Sequence, residues 1–461
     1  MRKSKINIED LFDLESAVIY NPDSYKATSD VSMDSRSVKK GSIFFAIKGL
    51  KFDGHKFIAE AVKKGAGAVV INSRRLKSLD DLDVTIIAVK DTTKAYGELA
   101  SIWRKKLALK VISITGSNGK TSTKEILHTL LSEKYNVHKS AANDNNHIGV
   151  PKTIFECSDK HDAVVIEHGT NHFGEIEYTA KIAIPDIAAI TNIGDSHLEF
   201  LKNRKGVLKE KSALLEQADS NDGKVLINVD DVLLAEEIKK YKNVIKYGFK
   251  GRVDCKAKML GFTEDGRTKL NVIFGNDNFD VTLPLLGISS AKNYLLAISI
   301  AFEMGLTEKD ILAGTKKLLP YHGRLESKIY KEFMLIDDTY NASPDSVRAG
   351  LDLLRKIKSY KKKLVVLGDM FELGNSSANL HSDLADSFKG IKNLKVMTIG
   401  PFMKKLNDKL IKNKIDAAHY DQRHLLKQEL EKVSLNDYVI FVKGSRGMKM
   451  EEFVSVLKDR G

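Results

Sequence analysis

Cysteine is almost missing from this chain. Its 461 residues include two, Cys157 and Cys255, far apart and in no paired motif. That argues against a disulfide framework or a cysteine-built zinc site and suits a reducing cytosol. Long apolar runs are missing as well. No window approaches the roughly 18 uninterrupted apolar residues that a membrane helix requires. The opening MRKSKINIEDLFDLE carries acids where a secretory signal has its apolar stretch. A cytoplasmic protein without membrane insertion is therefore expected. Low-complexity segments and clear internal repeats are also absent. Charge, by contrast, is plentiful: 29% of residues are charged and the formal net charge is +13. The lysines are scattered, often beside acids, and form no arginine- and aromatic-rich stripe. They read as a solvated surface plus a pocket for polyphosphate, with no nucleic-acid partner.

The length predicts about three domains. Short apolar runs alternate with helical patterns throughout, so the expected class is α/β. Residues 1–108 read as a small α/β domain. Residues 109–318 read as a parallel sheet covered on both faces, with strands at 110–114, 162–167, 186–191 and 224–228. Pro320 and Gly323 interrupt the helical pattern near 318–327, and 319–461 form a further α/β unit. Its strands are expected at 333–338, 363–369, 394–400 and 437–445, with Ser343 capping a helix that starts at Pro344. Polar motifs recur at the C-terminal ends of these strands, the edge at which open α/β sheets bind ligands.

The clearest motif is VISITGSNGKTSTKEIL, residues 111–127. An apolar strand runs into a small-residue loop and then a helix expected from Ser122 onward. Gly116, Ser117, Asn118 and Gly119 allow amides to point at phosphate oxygens. Lys120 adds a cation, Thr121 a hydroxyl for magnesium, and the helix its dipole. The spacing is the short TGxxGKT form, not GxxxxGK[ST], because position 114 is Ile. The loop alone leaves open whether the phosphate is transferred, drives movement, or activates a carboxylate. Glu167 and His197 follow two further strands. An acid and an imidazole at strand ends beside a triphosphate suggest magnesium ligands.

The loop, together with NDNNHIGVPKT at 143–153, EHGTNHFGEI at 167–176 and TNIGDSHLEF at 191–200, in this order, resembles the ATP-dependent Mur ligases of peptidoglycan synthesis. IDDTYNASPDSVRAGLDLL at 336–354, VLGDMFELG at 366–374, VKGSRGMKMEE at 442–452 and DSRSVKKGSIFFAIKGLKFDGHKF at 34–57 are similar to the dipeptide-adding branch of that family. The DNPR-type segment typical of tripeptide-forming relatives does not appear.

The resemblance implies three domains: a UDP-substrate domain, a central P-loop ATPase and a Rossmann-like third domain that closes over both. It implies ATP and two magnesium sites, with UDP-N-acetylmuramoyl-tripeptide and D-alanyl-D-alanine as the molecules joined, by a monomer. Thr121 and Glu167 are expected to hold one magnesium, and Glu167 and His197 to help hold a second. A carboxylated lysine, which falls at Lys211, completes that second site. Lys120, Ser122, Asn293, Arg324, Asp338 and Tyr340 join the loop in nucleotide binding. Asp34, Ser35 and Arg36 match the UDP-substrate motif, Asn341 is expected to bind substrate, and Lys443, Ser445 and Arg446 to line the acceptor side. Ser289 and Ser290 stand where His-Asn is usual, Ser343 where Asn is commoner, and Ala213 where an acid commonly occurs.

Overall fold

The computed structural model describes residues 4–78 and 83–461. Its strands fall into three sheets, successive along the chain. The first contains Val18–Tyr20, Val31–Ser32, Ile43–Phe45, Ala68–Asn72 and Thr85–Val89. All pairings in it are parallel except that of Val18–Tyr20, an edge strand antiparallel to Thr85–Val89.

The second sheet has nine strands. Its parallel part is ordered in space as Val137–Lys139, Ala163–Glu167, Lys110–Thr115, Ile187–Ile190, Lys224–Asn228 and Val244–Gly248. Side chains alternate across a strand, and here both faces are apolar. Ile112, Ile114, Val165 and Leu226 enter one core beneath the helices Lys120–Leu131 and Gly287–Glu303. Val111, Val164 and Ile166 enter a second core, with Trp103 and Leu99. Burial on both faces is why these strands are continuous apolar runs.

The expected parallel sheet is thus present, but it continues into an antiparallel meander, Cys255–Phe262, Arg267–Phe274 and Asp277–Leu286. This meander lay outside the sequence expectation for a physical reason. Thr268, Leu270 and Val272 are buried while Arg267, Lys269 and Asn271 are not, so no compact apolar run marks the strand. Its first turn also touches the third domain, where Lys358 N–H donates to Glu264 O at 2.8 Å.

The third sheet runs Glu326–Ile329, Phe333–Asp338, Tyr438–Lys443, Lys362–Gly368, Leu394–Ile399 and Asp416–Tyr420. All its pairings are parallel except that of Glu326–Ile329 with Phe333–Asp338. The four expected strands are here, and the two additional ones are its edges. Ser343 caps the helix Pro344–Lys356 as expected, accepting from Ser346 N–H. The helix after the phosphate loop starts at Lys120, two residues before the expected Ser122, because Gly119 takes the cap position with φ +85°.

Candidate active site between the second and third domains

Two glycines let the phosphate loop bend as it does. Gly116 has φ +150°, and a Cβ there would stand 1.8 Å from Thr191 Oγ1. Gly119 has φ +85°, and a Cβ there would meet Asn293 Oδ1 at 2.2 Å. The loop is therefore pressed between the end of the next strand and the helix carrying Asn293. Lys120 folds back so that Nζ donates to Gly116 O at 2.8 Å. Its burial pulls the ammonium below the usual lysine range; Glu167 opposes that shift and Arg324 adds to it.

Glu167 ends the strand Ala163–Glu167 and is 3% exposed. It accepts from Thr121 Oγ1 at 2.8 Å and from Asn145 Nδ2 at 3.0 Å. Lys124 Nζ, buried one helical turn along from Lys120, lies 3.7 Å from it. The Thr121 hydroxyl and the Asn145 amide each donate to one of the Glu167 oxygens, so the carboxyl group is oriented before any ligand arrives. His197 has φ +52°, costing about 1–3 kcal/mol for a residue with a Cβ. Its Nδ1 is 2.7 Å from Glu372 Oε2 of the third domain, misaligned for a hydrogen bond. Glu372 is itself left-handed at φ +62°, and its carboxyl is held below the usual range by His197. Two strained residues thus meet across the domain boundary, which is where strain marks function.

Further contacts, some across the domain boundary and some within the third domain, surround the same loop. Arg324 Nη2 donates to Thr121 Oγ1 at 3.0 Å, and the guanidinium stacks 3.9 Å above the Tyr340 ring. Its Nε is buried with no partner among the described residues, a donor left over beside a site built for anions. Ser343 Oγ donates to Asn118 Oδ1 at 3.0 Å. Arg204 holds Asp195 at 2.7 Å and Asp345 at 3.2 Å. Asp338 accepts from Leu325 N–H at 3.1 Å and pairs with Lys443 at 2.5 Å, while Lys443 also donates to Asn341 O. Ser445 Oγ accepts from Phe371 N–H at 2.8 Å.

Between these groups lies a cavity of about 820 Å³. Ser117 to Ser122, Glu167, His197, Asn293, Arg324, Asp338, Tyr340, Asn341, Lys443, Ser445 and Arg446 all line it. Gly116 lies behind the loop. Lys211 does not reach the cavity wall; it sits buried, 1% exposed, on the helix Arg204–Ser220. No hydrogen bond or ion pair holds its ammonium among the described residues. Burial, with Lys120 nearby, drives its pKa well below the ordinary value. His168, next to Glu167, is a contrasting case. Its ring nitrogens are 2.9 Å from Thr179 Oγ1 and 3.0 Å from Ser113 Oγ, and burial lowers its pKa to about 3. It is a neutral strut.

The N-terminal triplet lies elsewhere. Asp34 lines a second cavity of about 620 Å³ that runs between the first domain and Lys152, Phe155 and Glu156 of the second. Arg36 hydrogen-bonds Asp34 and holds its carboxyl down to about 2. Ser35 is buried beneath that turn, its carbonyl accepting from Lys64 at 3.1 Å.

Three family models match in register with this layout. They are the Mur ligase family catalytic domain over residues 28–104, the Mur ligase middle domain over 114–301, and the Mur ligase glutamate ligase domain over 323–446. The UDP-N-acetylmuramoyl-tripeptide–D-alanyl-D-alanine ligase of Bacillus subtilis is 33% identical over 98% of both chains. The Escherichia coli protein of that name is 33% identical over 94% of both. The chain belongs to the Mur ligase family. Among solved structures, MurF from Acinetobacter baumannii covers all of both chains with a TM-score of 0.86 at 27% identity. MurF from Thermotoga maritima in complex with ADP matches 94% of this chain and 98% of its own, with a TM-score of 0.82 at 28% identity.

The places where this Mur ligase departs from the family pattern have local explanations in two cases of three. Ser343 caps its helix and also bridges to the phosphate loop through Asn118. Ala213, half-buried, packs against an apolar cluster with Leu214 and Val207, where a methyl group fits. Ser289 and Ser290 line the cavity beside Asn293, and nothing in the structure explains the change from His-Asn. The site also includes groups that the motifs did not single out: Lys124, Asn145, Asn192, Arg204 and Asp345. Asn192 Oδ1 accepts from Asn118 N–H at 3.1 Å. Asn145 and Asn192 lie within or beside the recognised motifs, which was their available signal. Arg204 and Asp345 are legible only once the domains are docked.

Proposed function

We propose that this Mur ligase joins D-alanyl-D-alanine to UDP-N-acetylmuramoyl-tripeptide, consuming ATP and giving UDP-N-acetylmuramoyl-pentapeptide, ADP and phosphate. The observation that carries the reading is one constellation: Lys120, Thr121 and Glu167 of the second domain meet Arg324 of the third around a single cavity. The names of the full-length relatives support the two substrates, and the ADP-bound relative supports the nucleotide. The expected divisions 1–108, 109–318 and 319–461, a monomer and a cytoplasmic setting belong to the same reading. No helix among the described residues is long and apolar enough to cross a membrane.

The chemical difficulty is that a carboxylate must approach the γ-phosphorus of ATP, anion against anion. Lys120, the loop amides and Arg324 place fixed positive charge there before the reaction begins, and preorganised charge is the largest single catalytic term available. The tripeptide's terminal carboxylate attacks phosphorus and ADP departs. The amine of the dipeptide then attacks the acyl phosphate and phosphate leaves. Asn293 is assigned to the adenine, Asp338 to the ribose, and Lys443, Ser445 and Arg446 to the acceptor side. Asp34, Ser35 and Arg36 are assigned to the UDP part.

The donor set fits magnesium: the Thr121 hydroxyl and the Glu167 side-chain oxygens are hard ligands held 2.8 Å apart. These two would hold one ion, and Glu167 with His197 a second. When bound, magnesium neutralises phosphate charge. Lys211 fits carboxylation: it is buried with no hydrogen bond or ion pair among the described residues, and its lowered pKa moves it toward the amine form that carbon dioxide attacks. The test is phosphate release with ATP, magnesium, tripeptide substrate and dipeptide, omitting each in turn. The reading expects release only with all four, and a pentapeptide product by mass. Release supported by a single amino acid would point to a sister ligase. Release indifferent to both substrate and acceptor would point to a nucleotide-driven switch.

A further inference from the structure

We propose that His322, Glu326 and Asp337 form a divalent-cation site at the hinge between the second and third domains, separate from the magnesium sites of the reaction. One ligand atom from each lies within 4.8 Å of the others. Glu326 and Asp337 are direct partners across the antiparallel pair that opens the third sheet. Two like charges placed opposite each other destabilise a ladder unless something lies between them.

The decisive feature is Asp337. It is 2% exposed, and its Oδ1 accepts from Thr339 N–H at 3.1 Å and Thr339 Oγ1 at 2.6 Å. Its Oδ2 is buried without any partner among the described residues. A buried carboxylate oxygen with no donor is costly, and a cation is the partner that this cluster supplies room for. His322 Nδ1 is 2.9 Å from Glu326 Oε2, a separation that two ligands of one ion also have. Glu326 Oε2 is fixed further by Gly323 N–H at 3.2 Å. The His322 side chain is 76% exposed, so the site opens to solvent and leaves positions for water. One imidazole with two carboxylates is the ligand chemistry of Zn²⁺, Co²⁺ or Mn²⁺ more than of Mg²⁺.

The position gives the ion a consequence. Residues 321–325 carry the chain from one domain to the next, and Arg324 lies two residues beyond His322. Gly323 O accepts from Tyr340 N–H at 3.0 Å and Leu325 N–H donates to Asp338 Oδ1 at 3.1 Å, so the linker is already tied to the third domain. A cation on His322 adds a further tie and fixes the base from which Arg324 reaches Thr121.

The test uses the full chain in excess magnesium and ADP, so that the reaction's own metal sites are filled. Co²⁺ is titrated and followed by its visible absorption and by equilibrium dialysis, with Zn²⁺ as competitor. Wild type is expected to bind one Co²⁺ more than His322→Ala, with a rise in thermal midpoint that Zn²⁺ reproduces. Glu326→Gln should weaken binding by at least the roughly tenfold that losing even an outer partner costs. His322 is exposed and Glu326 half-buried, so both variants should fold, and circular dichroism checks that they do. Equal stoichiometry and affinity in wild type and both variants would overturn the site and leave Asp337 Oδ2 to water.

Discussion

The cleft between the second and third domains and the N-terminal Asp34-Ser35-Arg36 turn are both assigned to substrates, yet they are built in opposite ways. In the cleft, Glu167 is 3% exposed and each oxygen has a protein donor. At the turn, the Arg36 and Asp34 side chains are 84% and 43% exposed and satisfy each other. An exposed pair of this kind contributes little to stability. The cleft must stabilise charge that develops during a reaction, so its groups are fixed and dried beforehand. The turn has only to bind, and a self-neutralised pair can exchange one partner for a ligand at small cost.

The largest effect should come from removing the fixed charge. Lys120→Ala is expected to lower turnover by about 10² or more while leaving the fold intact. Steady-state phosphate release and circular dichroism check it, and near-normal turnover would break the contrast.

Lys211→Met sharpens the contrast in a different way, because activity and stability should move apart. Turnover should fall by about 10², with partial rescue of Lys211→Ala by short-chain carboxylates. Thermal stability of protein freed of carbon dioxide should rise, since a buried amine with no hydrogen bond or ion pair among the described residues is replaced by an apolar chain. The pH dependence has a definite sign. The folded pKa lies below the ordinary value of 10.5, so the unfolded chain binds more protons. Stability of the unmodified wild type should therefore climb with pH up to about 10.5, a slope that Lys211→Met lacks.

Asn293→Ala should have a smaller effect, raising the KM for ATP more than it lowers kcat; an unchanged KM would remove Asn293 from the nucleotide site. The smallest effect belongs to the rim. Arg204 is 46% exposed in its pair with Asp345, so Arg204→Ala should cost within about 1 kcal/mol of domain docking. Its signature is a modest, salt-sensitive rise in KM, and an effect as large as that of Lys120→Ala would show that the rim, not the buried loop, controls closure.

Much of this was legible in the sequence. The phosphate loop and the strands ending in Glu167 and before His197 show themselves because strands buried on both faces must be continuous apolar runs. The helix cap at Ser343 was legible for the same local reason, a side chain serving its own next turn. Residues 255–286 were not, because alternation with charged residues hides a half-exposed meander. Nor were the Arg204–Asp345 and His197–Glu372 contacts, which join residues 141 and 175 positions apart and depend on how two domains dock. Lys211 shows a third case: the family register located it, but only its burial without a partner explains why a lysine there is unusual.

The most direct test of the central claim, that the loop holds ATP so that its γ-phosphate activates a carboxylate, is an isotope transfer. The tripeptide substrate is labelled with ¹⁸O in its terminal carboxylate, and phosphate released in the complete reaction is analysed by mass. The account predicts one ¹⁸O atom in each phosphate, carried over when the acyl phosphate collapses onto the dipeptide amine. Unlabelled phosphate, with pentapeptide formed at the normal rate, would contradict it.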